Sequence, residues 1–514
     1  MTTGTLPAWA GLPQPGDVAL TDGAAWRPGA GTRVLADGGA GVRREAERLA
    51  AELAALGLPV AGAPVAGAPV AGGPGAEPGP GDVLLRAGTV DGTAPGPEAY
   101  RVTVGDRVVV TGATAAGVHR GTRQVLHNLV ARGAVPAGTV AGSPAVPERA
   151  VHLDAARVPF DAPWIEALLH EMAWSGLTTL QLHLSEDEGF RVECPRHPEV
   201  VTPGALTRDE VRRLLAVAAD LHVAVVPSLV MPGHLGRVLR AHPEHALRGP
   251  DGAPVPGALD VTDEAAVAFA LDLVDEVAEL VGPGRGTPWN IGADEFVDLA
   301  DLAAQPALAA AAEDRFGPGA TGFDVLVAFV NRVAARVRAH GFRPQVWNDG
   351  MFRAERVALD PDVRVAWWTG WSPRMAPLSA ALDRGHDVLN AHDALLYYVL
   401  GEHAGYRYPT AERLWAAGWH PGAFADRRDG SGPHPQVLDR PYPAALRGTM
   451  LAIWGDRPGA RTPEQVAADV RGPLRGMAER AWNAGSRLGL SDMTALDLAV
   501  GQPPAAPLPT GTKG

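Results

Sequence analysis

Asp294 and Glu295 stand side by side at the end of a stretch, Trp289-Asn290-Ile291-Gly292-Ala293-Asp294-Glu295, that reads as a buried strand. Strand side chains alternate, so adjacent acids reach one pocket only where the strand gives way to a loop. Two carboxyls in unequal surroundings can divide the work of bond cleavage. One, kept protonated by an apolar surround, serves as general acid; the other, held ionised by hydrogen bonds, steadies a substrate dipole. A solvated pair at a loop or helix cap is the more ordinary setting for two such acids. The meaning of this pair therefore depends on what the rest of the chain brings to it.

Polar and aromatic residues recur at the ends of the other strand candidates. They are Arg157, then His183 with Glu186 and Asp187, then His234 after Met231-Pro232-Gly233. Further along come Trp347-Asn348-Asp349, Trp367-Trp368, Tyr397-Tyr398 and Trp454-Gly455-Asp456. Of 13 tryptophans, five (Trp347, Trp367, Trp368, Trp371 and Trp454) fall at or just past strand ends, where aromatic faces suit the C–H faces of a pyranose. Taken singly, Arg157 reads as a rim ion pair, the two histidines as structural and the tryptophans as core. Their shared location is what points to a sugar pocket. Trp164, Trp174 and Trp482 fall on predicted helices and are assigned to packing, and Glu479 to the barrel bottom or a helix surface.

The elements that must position these residues alternate from residue 147 to 500. Strands are predicted at Val151–Ala155, Thr179–Leu184, Val223–Leu229, Trp289–Gly292, Gln345–Asn348, Val363–Trp368, Val388–Ala391 and Thr449–Trp454. Amphipathic helices are predicted at Pro163–Trp174, Arg208–Leu221, Glu264–Val281, Phe323–His340 and Pro463–Trp482. Eight alternating β/α units imply an α/β (β/α)8 TIM barrel with its site at the strand C-termini. The seventh helix is missing from the pattern, since Gly401–Pro443 is rich in Pro and Gly and reads as a loop over the pocket.

Residues 1–146 form a small α+β domain, with a helical pattern over Arg33–Leu58, short β segments at Asp82–Arg86, Tyr100–Val104 and Arg107–Thr111, and a helix at Thr114–Ala131. Residues 59–81 read as a flexible Pro/Ala/Gly loop and 501–514 as a disordered tail.

Composition narrows the function. With 58 acids against 45 bases, a net charge of −13, the chain carries no basic groove for nucleic acid and no sign of membrane binding. Cys194 is the only cysteine, which excludes an intrachain disulfide and a thiolate cluster. Lys513 is the only lysine, which excludes a Schiff-base site in the barrel. The first 18 residues lack the pattern of a secretion signal, so a cytoplasmic location is expected.

The motifs together resemble the β-N-acetylhexosaminidases of glycoside hydrolase family 20. Leu153-Asp154-Ala155-Ala156-Arg157 is similar to the family's first-strand motif, His183-Leu184-Ser185-Glu186-Asp187-Glu188-Gly189-Phe190 to its second, and Met231-Pro232-Gly233-His234 to its third. Ile291-Gly292-Ala293-Asp294-Glu295 is similar to the catalytic Asp-Glu signature. Glu98-Ala99-Tyr100-Arg101-Val102 and Gly117-Val118-His119-Arg120-Gly121 resemble the non-catalytic domain that precedes this barrel.

The resemblance implies retaining hydrolysis of terminal β-linked GlcNAc or GalNAc, the substrate's own acetamide oxygen attacking the anomeric carbon. It implies that Asp294 orients the acetamide and Glu295 is general acid and base, with no cofactor and no metal. Arg157, Asp187, His234, Trp347, Trp368, Tyr397, Trp454 and Asp456 are the implied substrate-binding residues, and the partner is an amino-sugar oligosaccharide or glycoconjugate. Four features depart from the family pattern, one of them the third strand, where Pro227-Ser228-Leu229-Val230 stands in place of the commoner acids. Glu186-Asp187 stands where two aspartates are common, leaving open which acid pairs with His234. Val399 stands where a polar residue often meets the outer hydroxyls, and Asp456 replaces a commoner glutamate. Two other readings stay open: a metal-dependent barrel hydrolase using His183, His234, Asp294 and Asp349, and a sugar-binding protein without turnover.

Overall fold

The computed structural model describes residues 4–61, 77–297 and 305–509. Most of the loop predicted at 59–81 and the last residues of the predicted tail lie outside these. The N-terminal domain is a six-stranded sheet in the order β1-β6-β4-β5-β3-β2, built from β1 (Asp17–Leu20), β2 (Val34–Asp37), β3 (Val83–Ala87), β4 (Tyr100–Val104), β5 (Val108–Gly112) and β6 (Gly138–Gly142). Tyr100, Val102, Val108 and Val110 bury one face against helices Ala40–Ala55 and Ala115–Arg132. The second helix begins at Thr114, whose side chain accepts the Ala116 N–H, and stops at Gly133 in the left-handed region. The helical pattern predicted from Arg33 starts too early. Val34–Asp37 pairs in parallel with β3, a pairing its few residues could not disclose.

The barrel strands are β7 (Glu148–Asp154), β8 (Thr179–His183), β9 (Ala224–Met231), β12 (Pro288–Gly292), β13 (Arg343–Trp347), β14 (Arg364–Trp367), β15 (Val388–Asn390) and β19 (Leu446–Trp454). All neighbours pair in parallel, and β15 closes the ring on β19. Two hairpins interrupt the alternation: β10 (Ala246–Arg248) with β11 (Pro254–Leu259), and β17 (Ala423–Asp429) with β18 (Gly432–Val437). Strand seven comes in two pieces. After β15 ends, β16 (Tyr397–Val399) takes over the edge of β19, so Tyr397 sits high in the barrel mouth. The predicted helices appear at Ala162–Trp174, Arg208–Asp220, Glu264–Val281, Gly322–Ala339 and Pro463–Trp482. Capping boxes at Thr207, Thr321 and Thr462 fix where three of them begin. Between strands seven and eight the longest α-helix among the described residues is the short Ala411–Ala416, in keeping with a Pro/Gly-rich connection.

The two domains share an interior. Trp174 and Trp482, on barrel helices, pack into the core of the N-terminal domain with Tyr100 and Val118. Glu98 accepts from Arg120 Nε at 2.8 Å and Arg149 Nη2 at 2.6 Å, and Arg120 also donates to the carbonyl of Ala173. Glu479 is fully buried at the barrel bottom, where it accepts from the Gln14 N–H, Asn483 and Ser486, so it is no helix-surface charge. Of the predicted tail, residues 501–509 are described, and Leu508 is buried in the barrel core. No helix among the described residues is long and apolar enough to cross a membrane.

Candidate active site

The end of β12 shows how two sequential acids come to share a pocket. Gly292 has φ +85°, and Ala293 and Glu295 also take positive φ (66° and 45°), which breaks the strand alternation just where the acids begin. A Cβ on Gly292 would stand 2.4 Å from Val230 Cγ1, so the close approach of β9 and β12 also requires glycine. Asp349, at the end of β13, accepts the Glu295 N–H at 2.9 Å and the Trp368 Nε1–H at 3.2 Å, pinning the turn to the aromatic wall.

The resulting cavity, about 300 Å³, is lined by Arg157, Glu186, His234, Asp294, Glu295 and Asp456 on its polar side. Trp347, Trp368, Trp371, Tyr397, Val399, Tyr406 and Trp454 line it on the aromatic side, with His403 and Ala404 at the rim. The Trp368 and Tyr397 rings lie parallel (1°, centroids 5.9 Å apart), and Trp454 stands 5.9 Å from both Tyr397 and Trp347. Tyr398, one residue on, points the other way and donates to Asp469 at 2.8 Å.

His234 links the acids. Its Nε2 lies 3.5 Å from Glu295 Oε2 and 3.6 Å from Asp294 Oδ2, an ion-pair separation, while Nδ1 is 3.1 Å from Glu186 Oε2. Burial alone would discharge this ring, but Glu186 and Asp294 hold its pKa well above the ordinary value. Burial likewise opposes the charge on Glu186, yet His234, His183 and Arg157 keep that carboxyl well below the usual range. Asp294, with 15 % of its side chain exposed, is pushed up by burial to about 7 against the pull of His234, with Asp349 and Glu295 adding to the rise. Burial carries Asp349 to about 6. Glu295, 54 % exposed, is held below its usual range by the His234 ring. In the free protein, then, the buried acid favours the proton and the exposed one the charge.

Arg157 is anchored by Asp154 and Glu186 at 2.8 Å and by Glu188 at 3.3 Å, with its guanidinium 5.7 Å from the Trp454 ring centroid. Asp154 also accepts the Gly455 N–H at 3.0 Å, which ties the ends of β7 and β19 together.

Every implied site residue but one lines the cavity. The exception is Asp187, which is 45 % exposed and stands outside the cavity lining, accepting the Gly236 N–H at 2.8 Å with its other oxygen 3.9 Å from His234 Nδ1. Of the two acids the sequence left open as the His234 partner, Glu186 is the nearer, at 3.1 Å from Nδ1 against 3.9 Å for Asp187. His183 is structural, bonded to Ser228 at 2.9 Å. The sequence reading gave Asp349 no part in holding Glu295, since an acceptor for a backbone N–H carries no motif. His403 and Tyr406 lie in the Pro/Gly-rich segment read as a loop over the pocket, whose composition placed the loop but singled out none of its residues. The donor atoms of His183, His234, Asp294 and Asp349 do not converge as a ligand set; among the described residues the group at the site that does is Glu186, Asp187 and His234.

Comparison with known proteins extends these observations. The profile of the glycosyl hydrolase family 20 catalytic domain matches residues 147–484, and that of glycosyl hydrolase family 20, domain 2, matches residues 12–141. A lacto-N-biosidase of Bifidobacterium bifidum is 28% identical over 467 residues, 90% of this chain and 39% of that protein. A β-hexosaminidase of Akkermansia muciniphila is 26% identical over 184 residues, 33% of this chain and 34% of that protein. The chain thus spans well under half the length of these relatives. Among solved structures, a family 20 β-N-acetylhexosaminidase from Streptomyces coelicolor superposes with a TM-score of 0.72 at 22% identity, covering 96% of this chain and 97% of that one. A chitobiase from Flavobacterium johnsoniae gives 0.75 at 18% identity, covering 96% and 72%. At these identities the likeness is one of fold.

Proposed function

The chain belongs to glycoside hydrolase family 20, and from that membership we propose that it is a retaining exo-β-N-acetylhexosaminidase, removing terminal β-linked GlcNAc or GalNAc by substrate-assisted catalysis. The observation that carries this reading is Asp294 Oδ1. It is a buried acceptor with no hydrogen-bond partner among the described residues, set in an aromatic-walled pocket beside a second, solvent-facing acid.

An acetamide N–H is the donor that such an oxygen lacks. Bound to it, the acetamide oxygen is turned toward the anomeric carbon, with the Tyr397 hydroxyl to hold it and Trp347, Trp368 and Trp454 enclosing methyl and ring. As that oxygen bonds to the anomeric carbon, the glycosidic C–O bond breaks and its electron pair takes the proton of Glu295. The oxazolinium cation that forms is balanced by the Asp294 carboxylate. Glu295 then removes a proton from water, which opens the ring from the leaving-group side and retains configuration. Substrate reverses the protonation of the free protein. The acetamide N–H stabilises ionised Asp294, while the aglycone strips water from Glu295 and raises its hold on a proton. Arg157 and Asp456 face the remaining hydroxyls.

The test is a side-by-side assay of aryl β-GlcNAc, aryl β-GalNAc and aryl β-glucoside, with a thiazoline analogue as inhibitor. Cleavage confined to the acetamido sugars and tight thiazoline inhibition are expected; equal cleavage of the glucoside would sink the proposal.

One observation favours a second reading. A further cavity of about 460 Å³ adjoins the first along Trp371, Ala404 and Tyr406, large enough for another sugar unit. With it the enzyme would release a two-sugar unit, as the name of the Bifidobacterium relative implies. A kcat/KM for an aryl disaccharide glycoside far above that for aryl β-GlcNAc would select this reading.

A further inference from the structure

Two His-Pro-Glu turns face each other outside the cavity that holds the acids. His197-Pro198-Glu199 lies on the connection after β8 and His242-Pro243-Glu244 on the connection after β9. The two histidines have nearly the same backbone conformation (φ −132°, ψ 62° and φ −128°, ψ 65°), and each proline starts a 3-10 turn. His197 Nδ1 lies 3.5 Å from Glu199 Oε1, and His242 Nε2 lies 2.8 Å from the same oxygen. All three donor atoms fall within 4.8 Å of one another. Ligands bonded tetrahedrally to zinc at about 2.0–2.1 Å stand roughly 3.3 Å apart, so small side-chain shifts would seat an ion between them.

The ring nitrogens facing away from this point strengthen the case. His197 Nε2 is 2.7 Å from Asp272 Oδ2, and His242 Nδ1 is 3.2 Å from Glu244 Oε1. A carboxylate on the distal nitrogen is the arrangement that orients an imidazole ligand and raises its basicity. Phe269 packs against both rings, at 4.9 and 4.5 Å between centroids, and supplies an apolar wall. Arg237 donates to the carbonyls of Glu199, Val200 and Val201, so the first turn is rigid. The nearby cation, Arg196, is matched by Asp272, Glu276 and Glu279.

We propose that His197, Glu199 and His242 form a binding site for a divalent transition-metal ion of the zinc class, with Asp272 and Glu244 orienting the two imidazoles. Two imidazoles and one carboxylate suit zinc, nickel or copper and disfavour magnesium or calcium. Such an ion would clip the connection that follows Glu186 to the one that follows His234, and its role is structural.

The test uses the full chain without a polyhistidine tag. Zinc titration by calorimetry and metal analysis after gel filtration should show one bound equivalent at micromolar zinc, with Tm raised and none bound for magnesium. Cobalt(II) should give the visible absorption of a low-coordinate imidazole site. Glu199→Gln and His242→Ala should abolish stoichiometric binding, and Asp272→Asn should weaken it about tenfold or more. His245→Ala, next to the site but outside the set, should leave binding unchanged. No stoichiometric zinc on the native chain, undiminished binding in Glu199→Gln, or loss only in His245→Ala would each overturn the proposal. The cobalt spectrum of the native protein decides if a variant fails to fold.

Discussion

Asp294 and Glu295 are neighbours with opposite surroundings, and the proposed chemistry needs both to exchange protonation preference when sugar binds. Replacing Glu295 by Gln removes the transferable proton and keeps the shape, so kcat/KM for a poor leaving group should fall by about 10²–10⁴. Near-native turnover would show that another group supplies the proton. The buried acid sets the pH dependence. Asp294 must be ionised to accept the acetamide N–H, and in the free protein burial holds it up at about 7. The acid limb of kcat/KM, which reports the free enzyme, is therefore expected near neutrality, with that of kcat at lower pH once the N–H is bound. Asp349 is one of the charges that raise Asp294, so Asp349→Asn should move the kcat/KM limb to lower pH. Because His234, Asp349 and Glu295 all act on the charge of Asp294, the limb belongs to the cluster rather than to one carboxyl. A limb that stays in place in Asp349→Asn would remove Asp294 from this role.

The turn at the end of β12 is what makes the acid pair useful, and it rests on one residue without a side chain. Gly292→Ala places a methyl group 2.4 Å from Val230 Cγ1 at a φ of +85°, so β9 and β12 must separate or the turn must relax. A loss of about 1–3 kcal/mol of stability is expected by denaturant titration, together with a fall in kcat larger than any rise in KM, since the acids are re-aimed while the aromatic walls stay. Unchanged kcat would mean that the acids are positioned from elsewhere. The acid pair alone had a more ordinary reading as a solvated cap, and this strand was legible as a site because polar and aromatic residues recur at the ends of the other strands. The barrel helices were legible from their 3.6-residue pattern. What stayed hidden had no periodicity to show. β2 is four residues held by long-range pairing, and the step from β15 to β16 depends on β19 being long enough to carry both. Which of Glu186 and Asp187 lies nearer His234, left open by the motif, is a matter of side-chain reach, which a motif cannot measure.

Across the whole molecule, the N-terminal domain acts on the barrel through buried charge rather than through the pocket. Its two family-like motifs read as a domain signature, but their partner Arg149 lies on β7, and no local pattern in the sequence announces a charge shared between domains. Glu98 holds Arg120 and Arg149 together in an interior where both guanidinium groups are almost wholly buried; Arg120 Nη1 and Arg149 Nε donate to carbonyls at the end of the first barrel helix, and Arg149 Nη1 to those of Val146 and Pro147. Glu98→Ala leaves two cations there without an anion. Breaking a buried pair from one side costs about 3–5 kcal/mol, enough to consume much of the stability of an ordinary domain. The expected outcome is a large drop in Tm and in the denaturant midpoint, with both domains destabilised together because Trp174 and Trp482 pack in the same seam. KM for an aryl β-GlcNAc should stay near its native value while the protein remains folded, because Glu98 lies outside the cavity. If Glu98→Ala instead melts the N-terminal domain in a separate early transition and leaves the barrel transition unmoved, the seam does not couple the domains and β7 is held by the barrel alone.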